Sequence, residues 1–442
     1  MPQTDPQDLL SDLVTRAIKA GADAADVGLR DSVSISAQIR LGATEKIERS
    51  ETAELDLRVF VGKRQAMVSS SDRSPKALAE LVDRALAMAR TVPEDPYAGL
   101  AAPDQLARSF PELDLVDASE PSAETLSRLA LEAEDVARAA PGITNSEGAG
   151  AGWGLSDMAL VASNGFSHRF RTSSASISVG VVAGEGKGME RDDDWSSARH
   201  LADLRTPEAI GAEAARRALA RLGSRKVPTA QVPVMFEPRV ARSLLHHLAG
   251  ALNGASIARG TSFLKDEMGK RIMPRGVSVI DDPHRLRGLR SSVCDGEGVV
   301  NKRRAIIEDG VLGSWFLDLR SARQLKLAST GHGGRGGGPS PSNLWIEPGP
   351  VTAQEMITDV GRGLFVTELI GQGVNGITGD YSRGAAGFWI EDGELAFPVS
   401  EVTIAGNLKD MYRRLTVASD LDFVAGIDSP TLRVDGMTVA GS

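Results

Sequence analysis

The stretch Gly371 to Gly406, GQGVNGITGDYSRGAAGFWIEDGELAFPVSEVTIAG, constrains the chain more than any other. Glycines at 371, 373, 376, 379, 384 and 387 let one backbone approach another closely. That is what a strand needs where an extended peptide or another subunit lies along it, and strand bulges would use glycine in the same way. With 47 glycines in the whole sequence and only 4% aromatic residues, extended sheet with many turns is favoured over a large aromatic core. Two dipeptides, Asp309-Gly310 and Asp392-Gly393, sit between apolar residues and predict hairpin tips, a likeness that turn geometry alone explains. Asn164-Gly165 predicts a third hairpin, between Met158–Ala162 and Phe166–Phe170.

The 442 residues exceed one ordinary core, and the fold class expected is α+β with two domains, each a mixed or antiparallel sheet with packed helices. Helices are predicted over 7–20, over 74–89 behind the Ser74-Pro75 start, over 122–139, and from Thr206-Pro207 to about Gly223. Between them Val33 to Arg40, Leu55 to Phe60 and Ser173 to Val182 read as strands. The polar, basic stretch 224–231 carries Pro228 and is taken as a linker, so that 1–223 forms an N-terminal α+β domain and 232–442 a glycine-rich, strand-dominated C-terminal domain.

A formal net charge of −9 argues against a general nucleic-acid-binding surface. The single cysteine, Cys294, excludes an internal disulfide and a cysteine-rich zinc cluster, and its acidic neighbours disfavour a nucleophilic thiolate. The N-terminus has Asp5, Asp8 and Asp12 where a secretory signal carries basic residues, and no apolar run approaches the length of a membrane span. A cytoplasmic protein without membrane contact is expected.

Phe236 to Ser256 is the most informative helix. Val240, Leu244, Leu245, Leu248, Ala251 and Leu252 share one broad face, His246 points away from it, and His247 lies at its edge. A helical zinc site places its second imidazole about one turn after the first, with a Glu beside the first to activate water. Here Gly250 and Ala251 stand one turn on and no acid follows His246, which favours a solvated or hydrogen-bonded histidine. GHGGRGGG, Gly331 to Gly338, lacks the spacing of a phosphate loop and reads as a flexible loop with His332 exposed in it. Arg285, Arg287, Arg290, Lys302, Arg303 and Arg304 read as a solvated sheet face, or as a site for a peptide carboxylate or an acidic partner surface.

TGHGGRGGGPSPSNLWIEPG (Thr330 to Gly349), GQGVNGITGDYSRGAAGFWIEDGE (Gly371 to Glu394), VTIAGNLKDM (Val402 to Met411) and SPTLRVDGMTVAG (Ser429 to Gly441) resemble the TldD/PmbA family, specifically its PmbA (TldE) branch. The N-terminal LVTRAIKAGADAADVGLR (Leu13 to Arg30) extends the resemblance over nearly the whole chain. It implies a two-domain cytoplasmic protein that pairs with a TldD-type chain in a heterodimeric zinc metallopeptidase, acting on modified precursor peptides and on unfolded or small proteins. The branch also carries a label as a modulator of DNA gyrase, which would make this chain a regulatory binding protein acting through protein contacts rather than on DNA.

The family's zinc-binding branch bears an H-E-x-x-x-H helix, with a cysteine near the C-terminus as third ligand. Set on this sequence, the pattern matches His246 to the first ligand, puts His247 in place of the Glu and Ala251 in place of the second histidine, and Leu432 falls about where the cysteine would stand. The resemblance therefore implies a subunit with no cofactor of its own and zinc in the TldD-type partner. Gly371, Gly373, Asn375, Asp380, Tyr381 and Arg383 are the residues expected to face an extended peptide or the partner.

Overall fold

The computed structural model describes residues 5–441; the first four residues of the acidic N-terminus and Ser442 lie outside the described residues. The fold is α+β. Strands β1 (Ala24–Arg40), β2 (Ala43–Val61), β3 (Arg64–Ser70), β4 (Ile143–Ala162), β5 (Ser167–Ala183) and β6 (Glu190–Ala198) form one six-stranded sheet in the order β3-β2-β1-β4-β5-β6. Every neighbouring pair in it is antiparallel. Val27, Leu29, Ile35 and Ala37 are all buried, and their shared parity puts them on one face of β1.

That face is long enough to seat two helix pairs side by side. Helices α1 (Pro6–Lys19) and α2 (Pro75–Thr91) cover the end with Val27 and Leu29. Helices α3 (Ala123–Ala139) and α4 (Pro207–Ala220) cover the end with Ile35 and Ala37. The expected starts are found: Ser74, Ser122 and Thr206 each accept a bond from the amide three residues on. The hairpin at Asn164-Gly165 is also present, with Gly165 at φ 92° joining β4 to β5. Patterning underestimates strand length, because β1 and β4 run 17 and 20 residues.

The second half begins with β7 (Ala230–Phe236) and carries β8 (Val279–Asp282), β9 (Arg304–Glu308), β10 (Val311–Leu312), β11 (Asn343–Ile346), β12 (Gly363–Ile370), β13 (Asp380–Glu391), β14 (Glu394–Asn407), β15 (Leu415–Val417), β16 (Ile427–Asp428) and β17 (Leu432–Ala440). They make a six-stranded sheet, β14-β13-β12-β7-β17-β15, and a five-stranded one, β10-β9-β8-β11-β16. Both hairpin tips form as expected, with Asp309 and Asp392 at positive φ followed by Gly310 and Gly393. Between the two sheets runs helix α5 (Pro238–Ala251), whose Ala241, Leu244, Leu245 and Leu248 are buried in the common core. Each such leucine contributes about 2 kcal/mol by leaving water. The helix is shorter than the sequence suggests, because the Asn253 side chain accepts from the amides of Ala255 and Ser256 and starts a new short helix.

Candidate functional site

Helix α5 is fixed at its middle by Tyr412, whose hydroxyl donates to the Leu244 carbonyl at 2.9 Å. His246 is then turned to the surface and His247 is half-buried. Burial, then Arg242 and Arg290, hold the His246 imidazole below its ordinary pKa. Ala251 is buried and offers no donor, and Leu432 is fully buried where β17 pairs with Phe236. One exposed imidazole beside two guanidinium groups does not fit a tetrahedral zinc, which needs three or four converging ligands and is repelled by neighbouring cations. Among the described residues, no group of three or more His, Cys, Asp or Glu could hold a metal ion.

His247 behaves otherwise than a solvated or hydrogen-bonded helix histidine. Its Nε2 is buried without a partner among the described residues. The ring stands edge-on to Tyr381 of β13, with centroids 6.1 Å apart. Burial, Arg383 and His246 push its pKa down to about 4, so the imidazole is neutral at physiological pH. Tyr381 and Arg383, two residues apart on one strand face, thus meet the helix in space although the sequence separates them by more than 130 residues. Asp380 lies on the other face, bonded to Thr378 and Asn407. Asn375 accepts from the amides of Ile377 and Thr378, shaping the loop before β13. Gly371 adopts φ 81°, and a Cβ at Gly373 would lie 1.7 Å from the Ser382 carbonyl oxygen, so the close approach at Gly373 is to this chain's own strand.

The glycine-rich loop departs from expectation. It is anchored, and His332 is buried rather than exposed, bonded through Nδ1 to Thr330 at 2.8 Å and through Nε2 to Asp281 at 3.0 Å. The amide of Gly333 donates to Asp295, and its carbonyl accepts from Gly296. The loop then drives Arg335 into the N-terminal sheet. Its Nε donates to Asp26 at 2.7 Å, its Nη1 bonds to Asp56, and its Nη2 reaches the carbonyls of both residues. Gly28 leaves the room required, since a Cβ there would lie 2.7 Å from the guanidinium. Burial pushes the Asp26 carboxyl up, but Arg335 and Arg58 more than offset this and it titrates below its ordinary value.

Behind the loop, burial raises Asp295 to about 6 and, with Asp295 beside it, raises Glu297 to about 7. A cavity of about 470 Å³ opens at this junction, lined among others by Met67, Phe166, His168, Cys294 and Arg335. Cys294 is pushed up to about 12, by burial first and Asp295 second. In the basic segment Arg285, Arg287, Arg290, Lys302 and Arg303 lie in loops rather than on a sheet face, and only Arg304 belongs to a strand, β9. Arg287 pairs with Asp114 and Asp203 of the N-terminal half, and Arg285 lies over the Phe423 ring at 3.2 Å. The junction residues Asp26, Asp56 and Arg335 escape sequence reading; the one signal is a lone charged side chain in an otherwise glycine-filled run.

Three family models match the chain: PmbA/TldA metallopeptidase domain 1 over 25–89, the central domain over 117–222 and the C-terminal domain over 229–441. The first two share the single N-terminal sheet. Metalloprotease PmbA of Escherichia coli O157:H7 is 41% identical over 438 residues, covering 98% of this chain and 96% of the relative. The metalloprotease PmbA homolog of Haemophilus influenzae is 36% identical over 97% of this chain and 94% of its own length. A crystal structure of a protein named as a modulator of DNA gyrase, from Bacteroides thetaiotaomicron, superposes with a TM-score of 0.93 at 26% identity and covers all of both chains. TldE from Thermococcus kodakarensis shares the fold, with a TM-score of 0.87 at 22% identity over 98% of this chain and 100% of its own. No helix among the described residues is long and apolar enough to cross a membrane.

Proposed function

Because the chain belongs to the PmbA/TldD metallopeptidase family, we propose that it is the non-zinc subunit of a cytoplasmic TldD/TldE-type heterodimer that cleaves unfolded or modified precursor peptides. The observation that carries this reading is the environment of helix α5: a surface imidazole under the positive charges of Arg242 and Arg290, with buried Ala251 and Leu432 where further ligands would stand. Zinc and the water it activates then belong to the TldD-type partner. This chain supplies structure and peptide-holding surface, with Gly371, Gly373, Asn375, Asp380, Tyr381 and Arg383 facing the peptide or the partner. An extended peptide bound through its backbone explains how many unfolded sequences could be accepted while folded ones are refused.

The likeness to a protein named as a gyrase modulator favours a second reading, a regulator acting through protein contacts without proteolysis. Co-expression with a TldD-type chain, followed by light scattering and an unfolded-peptide cleavage assay, separates the two. The first reading expects a stable one-to-one complex that cleaves while this chain alone does not. Failure to associate with any TldD-type chain supports the second.

A further inference from the structure

His247, Tyr381 and Arg383 each bring a buried polar atom, Nε2, the hydroxyl and Nε respectively, that has no hydrogen-bond partner among the described residues. Unpaired buried polar atoms are rare, and three in one cluster need an explanation. The rings of His247 and Tyr381 touch edge to face, and Arg383 follows Tyr381 by two residues on the same strand face. Tyr381 is 1% exposed, while His247 and Arg383 are half-buried. The charges acting on His247 are Arg383 and His246, and the charge acting on Tyr381 is Arg383, so among the described residues no acid is seen to act on either ring. Asp380, the adjacent acid on the strand, is bonded on the opposite face.

We propose that these three side chains form a binding site for a carboxylate of the peptide substrate. A carboxylate offers only acceptors and one negative charge. It would take Nε–H of Arg383, O–H of Tyr381 and Nε2–H of His247, satisfying each orphaned atom, and its charge would stabilise the protonated imidazole. A guanidinium suits a planar carboxylate better than an ammonium does. The site deepens the peptide-holding role proposed above and rests on it for the identity of the ligand, but its carboxylate chemistry can be tested alone.

The first test uses the full chain with 13Cε1-labelled histidines and acetate as probe. The His247 resonance should titrate about one pH unit higher in saturating acetate than in chloride, and Arg383→Gln should abolish that difference. An unchanged His247 titration overturns the proposal whatever the peptide data show. Tyr381→Phe removes an unpaired hydroxyl and should leave thermal stability unchanged; a large loss would mean that the hydroxyl has an internal partner and would count against the site. The second test measures binding of an unfolded peptide to the complex with a TldD-type chain. Arg383→Gln should weaken a carboxylate-bearing peptide about 10- to 100-fold and leave its amidated, acid-free counterpart unaffected. Peptides retaining only the C-terminal carboxylate, or only side-chain carboxylates, show which source is used. Equal binding of acid and amide peptides sinks the carboxylate site and spares the peptide-holding role, whereas no binding of either by the parent complex sinks that role.

Discussion

Arg335→Ala withdraws the side chain that joins the glycine-rich loop to the N-terminal sheet. The guanidinium is about nine-tenths buried, with side-chain exposure of 10% against 3% for Asp26 and 26% for Asp56. Breaking a buried pair by removing one member costs about 3–5 kcal/mol, because the remaining charge is left uncompensated. Two features place this case at the lower end. Asp26 keeps Arg58, whose Nε donates to it at 3.1 Å, and Asp56 can regain water or a proton, its carboxyl being already raised by burial against the pull of Arg335. A loss of about 3 kcal/mol, at roughly 2 °C per kcal/mol for a large chain, lowers Tm by about 6 °C. Differential scanning calorimetry measures it, and hydrogen exchange localises it: the amides of Gly296 and Gly333, bonded across the loop, should exchange faster in the variant. Arg335→Lys keeps the charge without the fork and should fall between parent and Ala. A Tm within about 1 °C of the parent, with unchanged exchange at Gly296 and Gly333, would refute the loop as a tie between the two halves.

Three further outcomes follow from the same geometry. Asp295 and Glu297 titrate near 6 and 7 when folded, above their ordinary values, so the folded state holds the extra protons and their stabilisation is lost as pH rises from about 4 through about 7. Glu297→Gln keeps an acceptor for the Leu319 amide but cannot ionise, so it should match the parent near pH 4 and exceed it at pH 8 by on the order of 2 kcal/mol, read as Tm against pH. Cys294, 5% exposed with its thiol pushed up to about 12, should be silent to a thiol reagent at pH 8 until the chain is denatured, when one thiol appears. His246→Ala should leave the zinc content and cleavage rate of the heterodimer largely intact, and loss of both would show that this imidazole reaches the metal.

Much of the fold was legible because local rules and burial agree in it. Ser74, Ser122 and Thr206 announce helices by capping chemistry, and Asn164-Gly165, Asp309-Gly310 and Asp392-Gly393 announce hairpins by tolerating positive φ. The long strands were less legible, since Ala43 to Glu54 of β2 are almost wholly solvent-facing and no apolar alternation marks them. At the site, the face of α5 could be read from period 3.6, including the outward His246. Its contact with Tyr381 and Arg383 could not, because it depends on how β13 is laid beside the helix rather than on spacing in either segment. The loop around His332 was misread for a related reason. Glycine signals conformational freedom in the sequence, but here that freedom lets the backbone fit a crowded junction in which Gly333 and Arg335 find their partners in distant segments.

We propose that catalytic zinc belongs to the partner and not to this chain. Zinc measured by mass spectrometry on the purified chain, on a TldD-type chain and on their complex, alongside cleavage of an unfolded peptide, tests it most directly. This chain alone should carry no stoichiometric zinc and cleave nothing, and the zinc of the complex should match its content of TldD-type chain. Stoichiometric zinc with peptide cleavage by the isolated chain would contradict it.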